Sequence, residues 1–451
     1  MTGETIECIT YSGSRCQVVG GSNPLFPTFL LHSACHYNAT LKFWFVQINI
    51  DQEMKPFERV WMTLNHEEPD RVPIYEGSIE PAELTQGSPA LYFQPGILFF
   101  PVDLLKYATL PLAKPFRKIA FKAMDNPDFI LPFIKPSFME ASKVHRRFGI
   151  DLMGFSGGLP QVLNKKVFED FSVVNGNTVL TPHGDVATKI SDNYGAVSRF
   201  GFLRSPNDYN KYIEFDPDHK LNYILAKKGI EAAKGKIAIY FTVFGAAFFE
   251  SLCEMFGFKT LFRLLVKEPN FIKRVVREMS DFALAQVDHL AARGVKLFYM
   301  SNDLGGNNRL IISPRMYRKY FKDAESKFCN KVHSYGGKVI MHSCGNSMEL
   351  LSDLVEIGID ALHPWQPYAG MDIFEGKKRW GKDITLIGNV SIELLSQKGQ
   401  KTNVVEYVKR LMNELKPGGG YIISSSHSII PTVEWQNYVA MLWAAKKYGK
   451  Y

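Results

Sequence analysis

The chain has 451 residues, 53 Lys and Arg against 45 Asp and Glu for a net charge of +8, and 46% hydrophobic against 22% charged residues. This suits one large or two medium domains with a sizeable core and excludes intrinsic disorder, and the basic excess forms no block of like charges that would make a nucleic-acid arm. Six cysteines (Cys8, Cys16, Cys35, Cys253, Cys329 and Cys344) are too few for a disulfide framework and point to a reducing compartment.

Residues 1–53 read unlike the rest, with two basic and four acidic residues, half of the cysteines and no sustained period. The apolar run Leu25–Leu31 is broken by Pro27 and falls far short of the ~18–20 residues of a membrane span. No basic start, apolar middle and cleavage site follow one another, so a cytoplasmic location is expected. This stretch reads either as an atypical N-terminal extension or, the favoured reading, as an upstream artefact of a mis-assigned start, with Met54, which opens MKPFERVWMTLNHEEPDRVPIY, as the natural start; a single domain is expected over 54–451.

From Arg71 onward short apolar runs alternate with amphipathic stretches. The runs are Val72–Tyr75, Asp151–Phe155, Ile237–Val243, Lys296–Met300, Lys338–His342, Ala361–Pro364, Ile384–Ile387 and Tyr421–Ser424. Near-continuous apolar strands such as IAIYFTVF suit a buried parallel sheet. Helices are expected over Asn270–Arg293, Pro314–Tyr335, Ser347–Ile357, Asn403–Leu415 and Thr432–Tyr448, with Asp216–Pro217 and Ser313–Pro314 as helix starts. Eight strand–helix units predict a (β/α)₈ TIM barrel; a doubly wound sheet is the alternative. Turn signals at NGN, HGD and NYG predict an antiparallel β-hairpin insert after strand 2, over about 165–203. Residues 91–137, rich in Pro, Phe and Leu, read as an N-terminal helical excursion that lids the mouth.

Barrel chemistry sits where strands end. The ends supply Glu76, Asp151, Glu250, Asn302 with Asp303, His342 with Cys344, Gln366, Asn389 and Ser424–His427. In MHSCGN, residues 341–346, His342 and Cys344 lie two apart at a strand end and project to one side, so imidazole and thiolate can share one zinc ion. His427 is the expected third ligand, and three protein ligands with one exchangeable position are the pattern of a catalytic zinc; Glu250 is the best candidate should a carboxylate be the fourth. Asp303 either caps the loop or helix that follows or orients a substrate or ligand, and Asn389 is either a turn residue or a polar contact. Gly418–Gly420 reads as a turn, His333 and His363 as structural, and His66 has no assigned role.

From about Met54 to Tyr451 the chain resembles the uroporphyrinogen decarboxylase superfamily and, within it, the cobamide-dependent methyltransferases. The resemblance lies in LNHEEPDRVPI, FGIDL, SNDLGG, ISPRMYRKYF, MHSCGN, GIDALHPWQP, LIGNV, KPGGGYIISSSHSI and the final YGKY, in collinear order. It implies the same barrel, a homodimer, zinc, and a cobamide carried by a separate corrinoid protein. The decarboxylases hold their acidic substrate with an Arg-rich loop; here the matching IYEGSIEPAEL places Glu76 and Glu80, which would repel an acidic tetrapyrrole. The coenzyme M methyltransferases hold zinc through an H-x-C pair and a distant Cys. His342 and Cys344 match the pair, and His427 stands at the third position, where a decarboxylase has a substrate-contacting His.

The expectation is therefore an enzyme, a methyltransferase moving a methyl group from a small O-methyl substrate, above all a methoxylated aromatic, to cob(I)amide. Zinc would serve as Lewis acid, Asp303 and Glu76 as catalytic acids, and Asn302, Gln366 and Asn389 as substrate-binding residues. Aromatic residues over 91–137 and 241–257 would line an apolar pocket. The alternatives are methyl transfer from methylcobamide to a thiol of the coenzyme M type, a decarboxylase-like protein, and a non-catalytic tetrapyrrole or corrinoid binder.

Overall fold

The computed structural model describes residues 5–9, 15–19, 53–77, 79, 142–156, 178–180, 185–191, 194–224, 226–233 and 235–451. The chain divides into two compact units, Met1–Glu53 and Met54–Tyr451. In the first, β1 (Thr5–Ile9) and β2 (Arg15–Val19) pair antiparallel with Cys8 opposite Cys16. The expectation of no strand period there is corrected: TIECI and RCQVV are rich in β-branched residues but too short for a periodicity window.

The second unit opens with α1 (Pro56–Leu64), followed by β3 (Leu152–Ser156), β4 (Thr178–Leu180), β5 (Asp185–Ser191) and β6 (Tyr194–Gly201). After α2 (Pro206–Tyr212) and α3 (Ala226–Ala233), strands and helices alternate. β7 (Ala238–Thr242) precedes α4 (Phe248–Lys267) and α5 (Pro269–Ala291); β8 (Leu297–Ser301) precedes α6 (Pro314–Tyr320) and α7 (Lys322–Ser334). β9 (Lys338–His342) precedes α8 (Leu351–Ile357); β10 (Ala361–His363) precedes α9 (Ile373–Trp380). β11 (Thr385–Val390) leads to α10 (Ile392–Ser396) and α11 (Lys401–Leu415), and β12 (Tyr421–Ser425) to α12 (Trp435–Tyr448).

β3 and β7 to β12 form one curled, all-parallel sheet of seven strands, ordered as they occur in the chain. A doubly wound sheet would reverse its order at a switch point; this one does not, and the fold is TIM-barrel-like. The run Val72–Tyr75 does not form the expected strand. Ile74 bridges β12 at Ile423, and Tyr75 bridges β3 at Leu152. Pro73 has no N–H to donate, and the N–H of Ile74 goes to Asp151 Oδ2 (2.8 Å), so pairing stops at single bridges between the two edges of the sheet. The predicted helix over Pro314–Tyr335 breaks at Phe321, and that over Ser347–Ile357 opens with a 3₁₀ turn, Met348–Leu350. Ser313 caps α6 as expected, accepting from Met316 N. Asp216–Pro217 starts no helix; Asp216 instead closes a turn through Asp218 N (3.1 Å).

Outside the parallel sheet, β4, β5 and β6 make a separate three-stranded antiparallel sheet between β3 and β7. The expected helical excursion over 91–137 lies outside the described residues.

Strand alternation separates two packing layers. Leu152, Ala238, Tyr240, Leu297, Tyr299, Ile340, Ala361, Ile387 and Ile422 pack together with Tyr75 and with Val60 and Leu64 of α1 inside the curl. Their neighbours Met153, Phe155, Phe241, Phe298, Val339, Met341 and Leu362 pack outward against the helices. At the N-terminal end of the strands, Arg59 on α1 bonds Asp151 (2.6 Å) and Asp70 (2.6 and 2.7 Å), while Arg71 bonds both oxygens of Asp151 (2.7 and 2.9 Å). Asp151 therefore precedes β3 at the closed end, not at the catalytic rim where its place among the strand ends suggested.

Candidate metal centre

Period two carries the inward face of β9 from Ile340 to His342, the strand's last residue. The chain then turns through Ser343 to Cys344, beside the loop that follows β8. The two loops are joined directly: Asn346 N donates to Gly306 O (2.8 Å) and Leu304 N to the side-chain Ser343 Oγ (3.1 Å). Gly345 has φ +75°, and a Cβ there would lie 2.3 Å from the carbonyl carbon of Gly305, so both the turn and the contact require glycine.

This contact brings Asp303 onto the cysteine. Asp303 Oδ1 accepts from Cys344 N (2.7 Å) and lies 3.5 Å from His342 Nε2, which is 3.2 Å from Cys344 Sγ. One ligand atom from each of Asp303, His342 and Cys344 falls within 4.8 Å of the other two. A tetrahedral zinc with bonds of about 2.0–2.3 Å needs ligand separations of roughly 3.4–3.6 Å, close to the two measured distances. The donors are a nitrogen, a sulfur and an oxygen, all good zinc ligands, so the residues fit the ion the resemblance implies.

Burial, with Asp303 and Glu250 beside it, pushes the Cys344 thiol well up. Burial and then Asp303 push Glu250 up to about 8. Crowded acids of this kind are what a bound cation relieves. Burial also lowers His342, with the Asp303 carboxylate opposing it and His427 adding to it.

The other expected ligands fall outside the group. The backbone carbonyl of His427 accepts from Ser425 Oγ and its ring Nδ1 lies 3.3 Å from Ser428 O; the ring is near enough for its charge to act on His342 and His363, but it is not one of the three residues whose ligand atoms converge. Glu250, in the first turn of α4, accepts from Ser301 Oγ (3.0 Å) and Asp303 N (3.3 Å) and so sits behind Asp303. The carboxyl of Glu76 is buried; one oxygen accepts from Ser425 N (3.1 Å) and the other lies 2.6 Å from Ser425 Oγ, and burial pushes it up to about 8.

The three residues expected to bind substrate are buried and internally bonded. Asn302 accepts from Glu250 N (3.0 Å) and donates to Glu325 (2.6 Å). Gln366 accepts from Gly345 N (2.6 Å) and donates to Ser426 O (3.1 Å) and Cys344 Sγ (3.6 Å), which cradles the cysteine loop. Asn389 accepts from Tyr407 OH (3.0 Å). A strand-end position put these residues at the rim, and each amide has at least one partner within the chain there.

Sequence reasoning gives no role to Glu325 or Tyr368, and it reads His363 only as structural. Glu325, on the buried face of α7, accepts from Tyr317 OH (2.5 Å) as well as Asn302, and burial pushes it up to about 7. A lone acid among the apolar positions of that helix was the available signal. His363 Nδ1 lies 2.9 Å from His342 Nδ1. Tyr368 is 44% exposed, and the charges of Cys344 and Asp303 reach its hydroxyl. His333, read as structural, pairs with Asp360 (2.8 Å).

Among the described residues, no helix is long and apolar enough to cross a membrane. No curated protein matches the chain. Among solved structures, a methyltransferase from Methanosarcina mazei aligns with a TM-score of 0.56 at 16% identity, over 88% of this chain and 99% of its own, a likeness of fold. The family model described as uroporphyrinogen decarboxylase (URO-D) matches residues 179–448, more than half of the sequence and every strand of the sheet except β3, and the chain belongs to that family.

Proposed function

We propose that the chain is a substrate-specific methyltransferase of a corrinoid-dependent system. It moves a methyl group from a small O-methyl compound, above all a methoxylated aromatic, to cob(I)amide on a separate corrinoid protein docked at the barrel rim. The observation that carries this reading is the cluster of Asp303, His342 and Cys344 at the C-terminal ends of β8 and β9. Its support from the comparisons is the family match and a methyltransferase with the same fold.

In this reading Asp303, His342 and Cys344 hold zinc and leave one position for substrate. The bound ion supplies Lewis-acid withdrawal of charge from the ether oxygen, which a phenolate leaving group requires. The chain's own residues orient and protect. Gln366 holds the Cys344 loop, and Asn302, tied to Glu325, holds the first turn of α4 and with it Glu250. Glu250 in turn braces Asp303 through its backbone N–H. Asp303 thus serves the ion instead of acting as a free acid, and buried Glu76 anchors the loop after β12 through Ser425. Tyr368, exposed beside the cluster, offers a ring face to an aromatic substrate.

The test is zinc content and methyl transfer from methoxybenzoates to cob(I)alamin, in the chain as it stands and in Cys344→Ala. One zinc per chain, lost together with transfer in the variant, supports the reading. Methylation of a thiol such as coenzyme M, with no demethylation, makes the chain the reverse type of methyltransferase. A zinc-free protein that binds cobalamin is a binder and not an enzyme.

A further inference from the structure

The same alternation that turns His342 inward turns His363 inward, because Ala361 packs inside the curl and His363 follows two residues later. β9 and β10 are parallel neighbours in register, with His363 opposite His342. Two imidazoles thus share one level of the barrel, ring centroids 5.0 Å apart, with Nδ1 of one 2.9 Å from Nδ1 of the other. Tyr75 holds His363 edge to face from below, at 4.9 Å and 89°. His363 is 6% exposed, so its ring belongs to the barrel interior beside His342.

A hydrogen bond between two ring nitrogens needs one N–H and one lone pair. His342 Nε2 faces Cys344 Sγ and Asp303 Oδ1, so that nitrogen must keep its lone pair if the ring is to bind an ion there. The ring proton then sits on Nδ1 and points at His363 Nδ1, which must accept it. It follows that His363 carries its own proton on Nε2.

Resting on the reading of the cluster as a zinc site, we propose that His363 is a positioning residue that fixes the tautomer and the ring plane of His342 by accepting its Nδ1 proton. Ligating histidines usually give this proton to a carboxylate, a carbonyl or water. An imidazole acceptor orients the ligand without adding negative charge, which preserves the electron-withdrawing power of a three-ligand ion.

The test compares zinc affinity by chelator competition in the full chain, in His363→Leu and in His363→Asn. Leu fills space without a lone pair; the Asn side-chain oxygen stands near the place of Nδ1 and can accept. His363→Leu is expected to weaken zinc binding by roughly 10–100-fold, the usual cost of losing an outer partner, and His363→Asn to restore most of it. Equal affinity in the unsubstituted chain and His363→Leu overturns the proposal, as does an Asn variant as weak as Leu. An unsubstituted chain that binds no zinc overturns the metal reading instead, and the two failures are distinguishable. Should His363→Leu not fold, ¹⁵N-histidine spectra of the zinc-loaded chain decide the point: a proton on His363 Nδ1 overturns the proposal, and one on His363 Nε2 supports it.

Discussion

The two ends of the barrel hold similar side chains in opposite electrical states. At the closed end Asp70 and Asp151 meet Arg59 and Arg71 in a buried network of short bonds. Burial opposes the charge on Arg59, yet Asp70 and Asp151 outweigh it and raise its pKa, while Arg59 holds Asp70 below its ordinary value in spite of burial. At the open end burial pushes Glu76 and Glu250 up to about 8, and Cys344 rises with them. One end is a completed circuit that ties α1 to β3. The other gathers acidic groups whose ionisation burial opposes, and around Cys344 and Glu250 neighbouring acids oppose it further, the arrangement that functional sites favour over stable ones.

The sharpest way to break this comparison is at the closed end. Asp151→Ala leaves two buried guanidinium groups without their shared partner and removes the acceptor of Ile74 N–H. It should cost about 3–5 kcal/mol, read as a fall in the urea midpoint. A change below about 1 kcal/mol would mean that water or another group replaces the carboxylate. A smaller loss is expected inside the curl, where Gly154 makes room for Tyr240. A Cβ at Gly154 would lie 2.4 Å from Tyr240 OH, which bonds Tyr75 OH at 2.7 Å. Gly154→Ala should therefore cost about 1–3 kcal/mol by overpacking, with the zinc stoichiometry unchanged.

The closed end was hardly legible in the sequence, and the reason is one of phase. FGIDL shows an acid beside a strand, and whether the acid precedes or follows the strand decides which end it occupies. The run Asp151–Phe155 begins with Asp151, so counting it among the rim residues took a strand's first residue for its last, and β3, starting at Leu152, leaves it at the N-terminal end. The open end was legible where chemistry and spacing coincide. Lys338–His342 is the strand as read, and H-x-C put two ligand atoms 3.2 Å apart. Asp303 was seen as an acid at the rim, but its place against Cys344 depends on the contact of Gly305 with Gly345, a meeting of loops 40 residues apart that no local pattern reports. Gln366 and Asn302 were placed in the right neighbourhood, but their bonds to Gly345 and Ser426 and to Glu250 and Glu325 were not legible, because position along a strand says nothing of which polar group an amide will find.

The opposite electrical states also predict opposite limbs of a pH profile. Glu76 at about 8 and Glu325 at about 7 keep protons in the folded chain that the unfolded chain releases near the ordinary value of 4.5. Their contribution is fully present below that ordinary value and is lost as pH rises through 7 and 8. Asp70 works the other way: its contribution holds above the ordinary 3.8 and is lost as pH falls through its depressed value. Stability of the metal-free protein should thus be greatest in mild acid. Glu76→Gln should flatten the alkaline limb and leave the acid limb unchanged, as followed by urea denaturation at a series of pH values with chelator present. An alkaline limb equally steep in the variant would mean that Glu76 is ionised in the fold.

The smallest effect on stability is expected where the effect on binding is largest. Asp303→Asn keeps an oxygen to accept from Cys344 N–H and removes a charge that now presses on Glu250 and on the thiol. In chelator the variant should unfold at the same urea concentration as the unsubstituted chain, or a higher one. Its zinc affinity should fall by more than the roughly 10–100-fold expected for an outer partner, because a direct ligand is lost. The reverse pattern, a destabilised fold with undiminished zinc binding, would make Asp303 a brace for the cysteine loop and leave the ion to His342, Cys344 and a ligand from elsewhere. The two carboxylates 151 and 303 differ in this alone: the first already has its cations, and the second is placed to receive one.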